Sequence, residues 1–185
     1  TRLVGSEMCI RDSIRYETPL YYMNFPKVQR RITYATSFGS WVENFPLREK
    51  ELLPWIEQFD ALSMREESGV RMLQSRGMAC EWVLDPTLLL EQTDYDKIAE
   101  KRIIDEPYVL LFSWNGAEEA VEITKKVSDK LGCKAFYIVP PPRAMFCGIQ
   151  RKLDVGPREF LSLVKYAEFI VTNSFHGTVF STIYK

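Results

Sequence analysis

Short apolar runs rich in β-branched and aromatic residues alternate along this chain with longer stretches of helical period. No other feature restricts the fold as strongly. Runs at 31–35 (RITYA), 59–63 (FDALS), 81–84 (EWVL), 108–112 (YVLLF), 136–139 (FYIV) and 169–171 (FIV) read as strands. Helical stretches fall between them, and strands that alternate with helices build parallel sheets from βαβ units.

The helix signals are local. Residues 47–58 read as a helix with Pro46 near its start and Pro54 as an interruption. The run Ser63-Met64-Arg65-Glu66 has capping-box spacing, Ser at the N-cap and Glu at N3, and predicts a helix to about Ser75 with Gly77 at its end. Residues 117–131 predict a helix with Ala120, Ile123, Val127 and Leu131 on one face and Gly132 as its stop. Gly156-Pro157 introduces another, with Phe160, Leu161, Val164 and Ala167 towards a core. The strand 136–139 is cut off by prolines at 140–142. Residues 91–106 are charged, lose strand character, and read as a short helix plus linker. The expectation is therefore α/β with two Rossmann-type domains, parts of which occupy 14–90 and 107–185.

Both ends read as foreign or cut. Residues 3–13 (LVGSEMCIRDS) resemble translated sequencing-adapter sequence, so 1–13 is set aside as a non-native segment. The closing residues 181–185 stop inside an apolar helical pattern with no C-cap. The chain is expected to be the middle of a longer protein, truncated at both ends, and its N-terminus says nothing about targeting.

A hydrophobic content of 46% in 185 residues is ample for a core. The net charge of −1 gives no electrostatic footprint for nucleic acid. No apolar run approaches the roughly 18–20 residues that cross a bilayer. Cys9, Cys80, Cys133 and Cys147 form no CxxC pair and no zinc-finger spacing, which argues against a metal cluster or disulfide scaffold and for a reduced, cytoplasmic setting. Walker A, GxGxxG and GxSxG patterns are absent.

The one histidine, His176, lies in the run 171–178 (VTNSFHGT), between an apolar strand and the opening of a helix. The carboxyl end of such a strand is where open α/β sheets hold ligands. Amides at a helix N-terminus attract anions, so Asn173, Ser174, Gly177 and Thr178 are candidate binding residues and His176 a candidate proton donor. The alternative is a capping or packing histidine. Arg65 follows the second strand. A cation in a first helical turn opposes the helix dipole by about 0.3–1 kcal/mol. Either Glu66 and Glu67 make it part of a solvated charge cluster, or a bound carboxylate or phosphate compensates it. Ser37 ends the first strand. Asp85-Pro86 reads as a strand-ending turn, and Trp82, Trp114 and Tyr137 as core or rim.

Residues 34–39 (YATSFG), 63–67 (SMREE), 83–89 (VLDPTLL), 156–160 (GPREF) and 171–178 resemble, in that order, the polysaccharide pyruvyl transferase family. The resemblance runs from about residue 21 to 185, and its last motif is the most specific. It implies a GT-B-like pair of Rossmann-type domains. It also implies transfer of the enolpyruvyl unit of phosphoenolpyruvate onto two hydroxyls of a sugar in a surface polysaccharide, as a pyruvate ketal, with release of phosphate. By that resemblance His176 is the general acid or phosphate partner, imidazole being the side-chain type that most readily exchanges protons near neutral pH. Arg65 holds the donor's phosphate or carboxylate. Ser174 and the amides near Gly177 and Thr178 complete an anion cradle, and Ser37 faces the cleft. No metal or cofactor is called for; the partners are phosphoenolpyruvate and a glycan acceptor. Competing readings are a GT-B glycosyltransferase with a nucleotide-sugar donor, and a non-catalytic fragment that binds an anionic sugar.

Overall fold

A computed structural model of the chain describes residues 2–5, 22–23, 29–113, 118–138, 149–151 and 155–185. It is α/β with parallel sheets, divided into two compact units at 1–89 and 90–185. The prolines at 140–142, Trp114, Cys9 and Cys147 lie outside the described residues.

In the first unit, β1 (Arg2–Gly5) pairs in parallel with β2 (Arg30–Thr33), and β3 (Ser63–Met64) with β4 (Glu81–Trp82). Single parallel bridges, Ile32 to Ala61 and Thr36 to Met64, join the two pairs. The set-aside segment thus contributes four residues to pairing, Arg2 opposite Arg30 through Gly5 opposite Thr33. α1 (Phe45–Ile56) links β2 to β3, and α2 (Glu67–Gln74) links β3 to β4. Phe38, Phe45, Leu52, Ile56, Met64 and Leu73 form the core beneath them.

Two sequence expectations fail here for identifiable reasons. Pro54 does not break α1: it lies exposed near the helix end, the carbonyl that loses its N–H donor belongs to the exposed Lys50, and Gln58 Nε2 donates to the Pro54 carbonyl at 3.1 Å. Ser63 is not an N-cap, because its hydroxyl is engaged elsewhere. It donates to Thr33 O at 2.9 Å and accepts from the Ala35 amide at 3.2 Å, while the Ser63 amide donates to Thr33 Oγ1 at 2.9 Å. These bonds stand in for ladder bonds where the chain kinks at Ala35, whose φ is 53°. β3 therefore continues past Ser63, and α2 begins only at Glu67, with Glu66 as N-cap.

In the second unit, β5 (Tyr108–Phe112), β6 (Lys134–Tyr137), β7 (Gln150–Arg151) and β8 (Phe169–Thr172) form one parallel sheet in the order β7-β6-β5-β8. Alternate residues of β5 face opposite layers, as strand geometry demands. Val109 and Leu111 meet α4 (Glu118–Leu131) through Ala120 and Val121. Tyr108 and Leu110 meet α5 (Pro157–Lys165) and α6 (Phe175–Ile183) through Leu161, Leu163, Val164 and Phe180. Phe160 and Ala167 pack around that second cluster, as expected.

The expected stripe on α4 is rotated. Ile123 and Leu131 are exposed, while Ala120, Val121 and Thr124 are buried. Thr124 can face the core because its hydroxyl donates to Ala120 O at 2.6 Å, so no unpaired polar group is carried inward. The short helix expected within residues 91–106 is α3 (Gln92–Asp96), and the stretch packs with the second unit, placing Tyr95 and Ile104 in its core. Ser162 Oγ donates to Lys101 O at 2.9 Å and the Glu100 amide to Arg158 O at 3.0 Å, fixing the stretch along α5.

Candidate active site

The order β7-β6-β5-β8 means the chain steps from β5 outward to β6 and β7, then returns to the other side of β5 with β8. The strand order reverses between β5 and β8. In an open parallel sheet the connections leave these two strands towards opposite faces, opening a crevice at their carboxyl ends. β8 ends at Thr172, and the segment with the single histidine follows at once.

That corner is built from hydroxyls. Thr172 Oγ1 donates to Phe112 O at 2.6 Å, tying the ends of β8 and β5 together, and accepts from the Ser174 amide at 3.0 Å. Ser174 is buried and is the N-cap of α6: its Oγ accepts from the Gly177 amide at 3.4 Å. The Thr178 amide and hydroxyl both donate to Ser174 O, at 3.0 and 3.1 Å. A Cβ on Gly177 would sit 2.2 Å from Thr172 Oγ1 and 2.9 Å from Phe112 Cδ1, so only glycine lets α6 start this close to the sheet.

The expected anion cradle is corrected in two places. The Gly177 and Thr178 amides donate inward to Ser174, closing the helix start instead of facing a ligand. Ser174, Gly177 and Thr172 are therefore the frame of the corner. Asn173 and the Thr178 side chain are exposed, and His176 is half-buried with its ring edge-on to Phe175, centroids 5.2 Å apart.

The corresponding junction in the first unit, between β3 and α2, is built from charge. Arg65 precedes α2 and so is not in a first helical turn. Its side chain is only 7% exposed, which rules out the solvated cluster. Nη1 donates to Asp85 Oδ2 at 2.7 Å and Nε to Glu66 Oε1 at 3.2 Å. Burial works against the guanidinium's charge, but the bonds to Asp85 and Glu66 outweigh it and raise its pKa above the ordinary value. Asp85 is itself fixed: Oδ1 accepts from the Thr87 amide at 3.0 Å and from Thr87 Oγ1 at 2.6 Å. Glu67 turns away and pairs with Arg71.

Ser37 joins this cluster but does not face open space. It is 4% exposed, donates to Glu66 Oε1, and accepts from the Gly39 amide at 3.0 Å. Trp82, 62% exposed, donates from Nε1 to Arg65 O at 3.1 Å. The side chains Arg65, Glu66 and Asp85 together carry one positive and two negative charges. Sequence reasoning passed over Asp85 as a turn residue. A usable signal was present, since neighbouring parallel strands end side by side and a carboxylate ending one strand adjoins a cation ending the next. Among the described residues no group of three His, Cys, Asp or Glu side chains could hold a metal ion.

These features define an α/β protein whose parallel sheet carries an imidazole at the carboxyl edge, beside the reversal of strand order. A family model, polysaccharide pyruvyl transferase, matches residues 3–185, and the chain belongs to that family. The family gives the chemistry at its coarse level, a transferase that modifies polysaccharide. No curated protein and no solved structure matches the chain. None of the helices described is long and apolar enough to cross a membrane.

Proposed function

We propose that the chain carries reacting groups of a transferase that moves the enolpyruvyl unit of phosphoenolpyruvate onto two hydroxyls of a sugar. The acceptor belongs to a surface polysaccharide or its precursor, the product is a pyruvate ketal, and phosphate is released. The observation that carries this reading is the position of His176, half-buried in the first turn after β8 at the reversal of strand order. Family membership supplies the reaction class.

In this scheme His176 gives a proton to the methylene carbon of the donor, and the adjacent carbon becomes cationic. A sugar hydroxyl attacks that carbon and its proton returns to the imidazole. The second hydroxyl then displaces phosphate and its proton leaves with the phosphate. Asn173 and Thr178, exposed beside His176, contact the donor, while Ser174 and Gly177 hold the corner's shape. Arg65 serves the donor's anionic end. Asp85 keeps that guanidinium oriented and charged. No metal or cofactor enters the scheme, and a phosphoenolpyruvate donor makes the reaction cytoplasmic.

The test is phosphate release from phosphoenolpyruvate with extracted surface glycan as acceptor. His176→Ala is expected to lower turnover at least about 100-fold, the usual worth of a positioned general acid. A rate close to that of the unaltered protein removes the role. Turnover with UDP- or GDP-sugars, and none with phosphoenolpyruvate, overturns the reaction itself.

A further inference from the structure

The two carboxylates on Arg65 are not equivalent. Asp85 is 2% exposed, lies 2.7 Å from Nη1, and has both oxygens engaged, one by Arg65 and the other twice by Thr87. Glu66 is 30% exposed and lies at the longer distance of 3.2 Å. Its Oε1 accepts from Arg65 and Ser37, whereas its Oε2 is shielded from solvent with no hydrogen-bond partner. An ionised oxygen held away from water without a donor destabilises the arrangement that holds it. Glu66 is also the N-cap of α2 yet makes no side-chain bond to that helix, so its side chain can swing out without uncapping it. With Glu66 in place its carboxylate sets a negative charge beside the guanidinium edge and opposes the approach of a second anion.

We infer that Glu66 is a displaceable counter-ion, holding the edge of Arg65 that the carboxylate or phosphate of an anionic donor takes over on binding. Asp85 is the permanent partner and Glu66 the exchangeable one. The resting protein thereby keeps a buried guanidinium neutralised until a ligand of like geometry arrives, since carboxylate and phosphate oxygens both match a guanidinium edge. Ser37 holds the resting position through its bond to Oε1. This rests on the reading in which Arg65 meets the donor.

The experiment is calorimetric titration of the protein with phosphoenolpyruvate, and separately with inorganic phosphate, at low and high salt. Glu66→Gln is expected to tighten both by about 3- to 10-fold, the effect of removing one nearby carboxylate in a high effective dielectric. The gain should shrink as salt rises. Ser37→Ala, which loosens Glu66 without changing charge, should move affinity the same way by less. Asp85→Asn should weaken binding. Unchanged or weaker binding in both Glu66→Gln and Ser37→Ala overturns the inference, as does an absence of anion binding in every form. Tighter binding in Glu66→Gln without pyruvyl transfer by any form sinks the reaction reading and leaves the counter-ion standing. Turnover with an affinity indifferent to Glu66 does the reverse.

Discussion

The junctions β3–α2 and β8–α6 share one topology, a parallel strand whose carboxyl end turns directly into a helix, and they satisfy their polar groups in opposite ways. At β3–α2 the material is charge: a buried guanidinium faces two carboxylates, one of them locked by Thr87. At β8–α6 it is neutral hydroxyl and amide: Thr172, Ser174 and Gly177 bond in sequence, and the ionisable group, His176, stands half-buried at the rim. A buried ion pair answers sharply to the loss of one partner, whereas a hydroxyl chain loses about one bond at a time. The first junction should therefore carry more stability per side chain. The second has freedom to present a reacting group without endangering its own frame.

Asp85→Ala tests that contrast hardest. It takes from Arg65, whose side chain is only 7% exposed, the shorter and more buried of its two carboxylate contacts and leaves the longer one to Glu66, and it should destabilise the protein by up to about 3–5 kcal/mol in urea unfolding. A loss below about 1 kcal/mol would mean that water or other partners compensate Arg65 easily, and the two junctions would be energetically alike.

Gly177→Ala comes next. The added Cβ would lie 2.2 Å from Thr172 Oγ1, and Thr172 cannot retreat without releasing both Phe112 O and the Ser174 amide. A loss of about 1–3 kcal/mol is expected. Gly69 is the matching glycine on α2, and a Cβ there meets Met64 Sδ at 2.8 Å and Cε at 2.9 Å. Those atoms are the end of a flexible thioether that can swing aside, so Gly69→Ala should cost less. Equal losses would show that the hydroxyl corner is no stiffer than the thioether contact. Ser174→Ala, which removes only a cap at 3.4 Å, should cost about 1 kcal/mol or less in the same assay.

How far these junctions could be read from sequence follows from how local their signals are. β5, β8 and α5 declare themselves because their cues are contiguous: five apolar residues, a short apolar strand, and Gly156-Pro157 before a clean helical period. The polar run at 173–178 was legible for the same reason. Long-range partners were not. The hydroxyl of Ser63 is taken by Thr33, 30 residues away, so a capping-box spacing misplaced the start of α2. Asp85 is 20 residues from Arg65, and its worth appears only once β3 and β4 lie side by side. Thr124 counted as polar in the pattern of α4, yet its internal bond lets it behave as a core residue. The strand order that puts His176 beside the reversal is a property of the whole sheet, absent from any single segment.

The smallest expected effect compares the two units through their thiols. Cys80 packs in the first core at 6% exposure, where burial, with a lesser push from Glu81, raises its pKa to about 11 from an ordinary value of 9.0. Cys133 is half-buried at the margin of the second unit's core. At pH 8, alkylation read by mass spectrometry should mark Cys133 well before Cys80 in the native protein, and both alike in denaturant. The same shift fixes the sign of a stability change. Folded Cys80 holds its proton to a higher pH than the unfolded thiol, so its contribution is complete below about pH 9 and lost as pH climbs towards 11. Replacing Cys80 with alanine should flatten that part of the stability profile while lowering stability at neutral pH. Rapid native labelling of Cys80 would mean that the first unit opens locally, and its charged junction would then be the looser of the two.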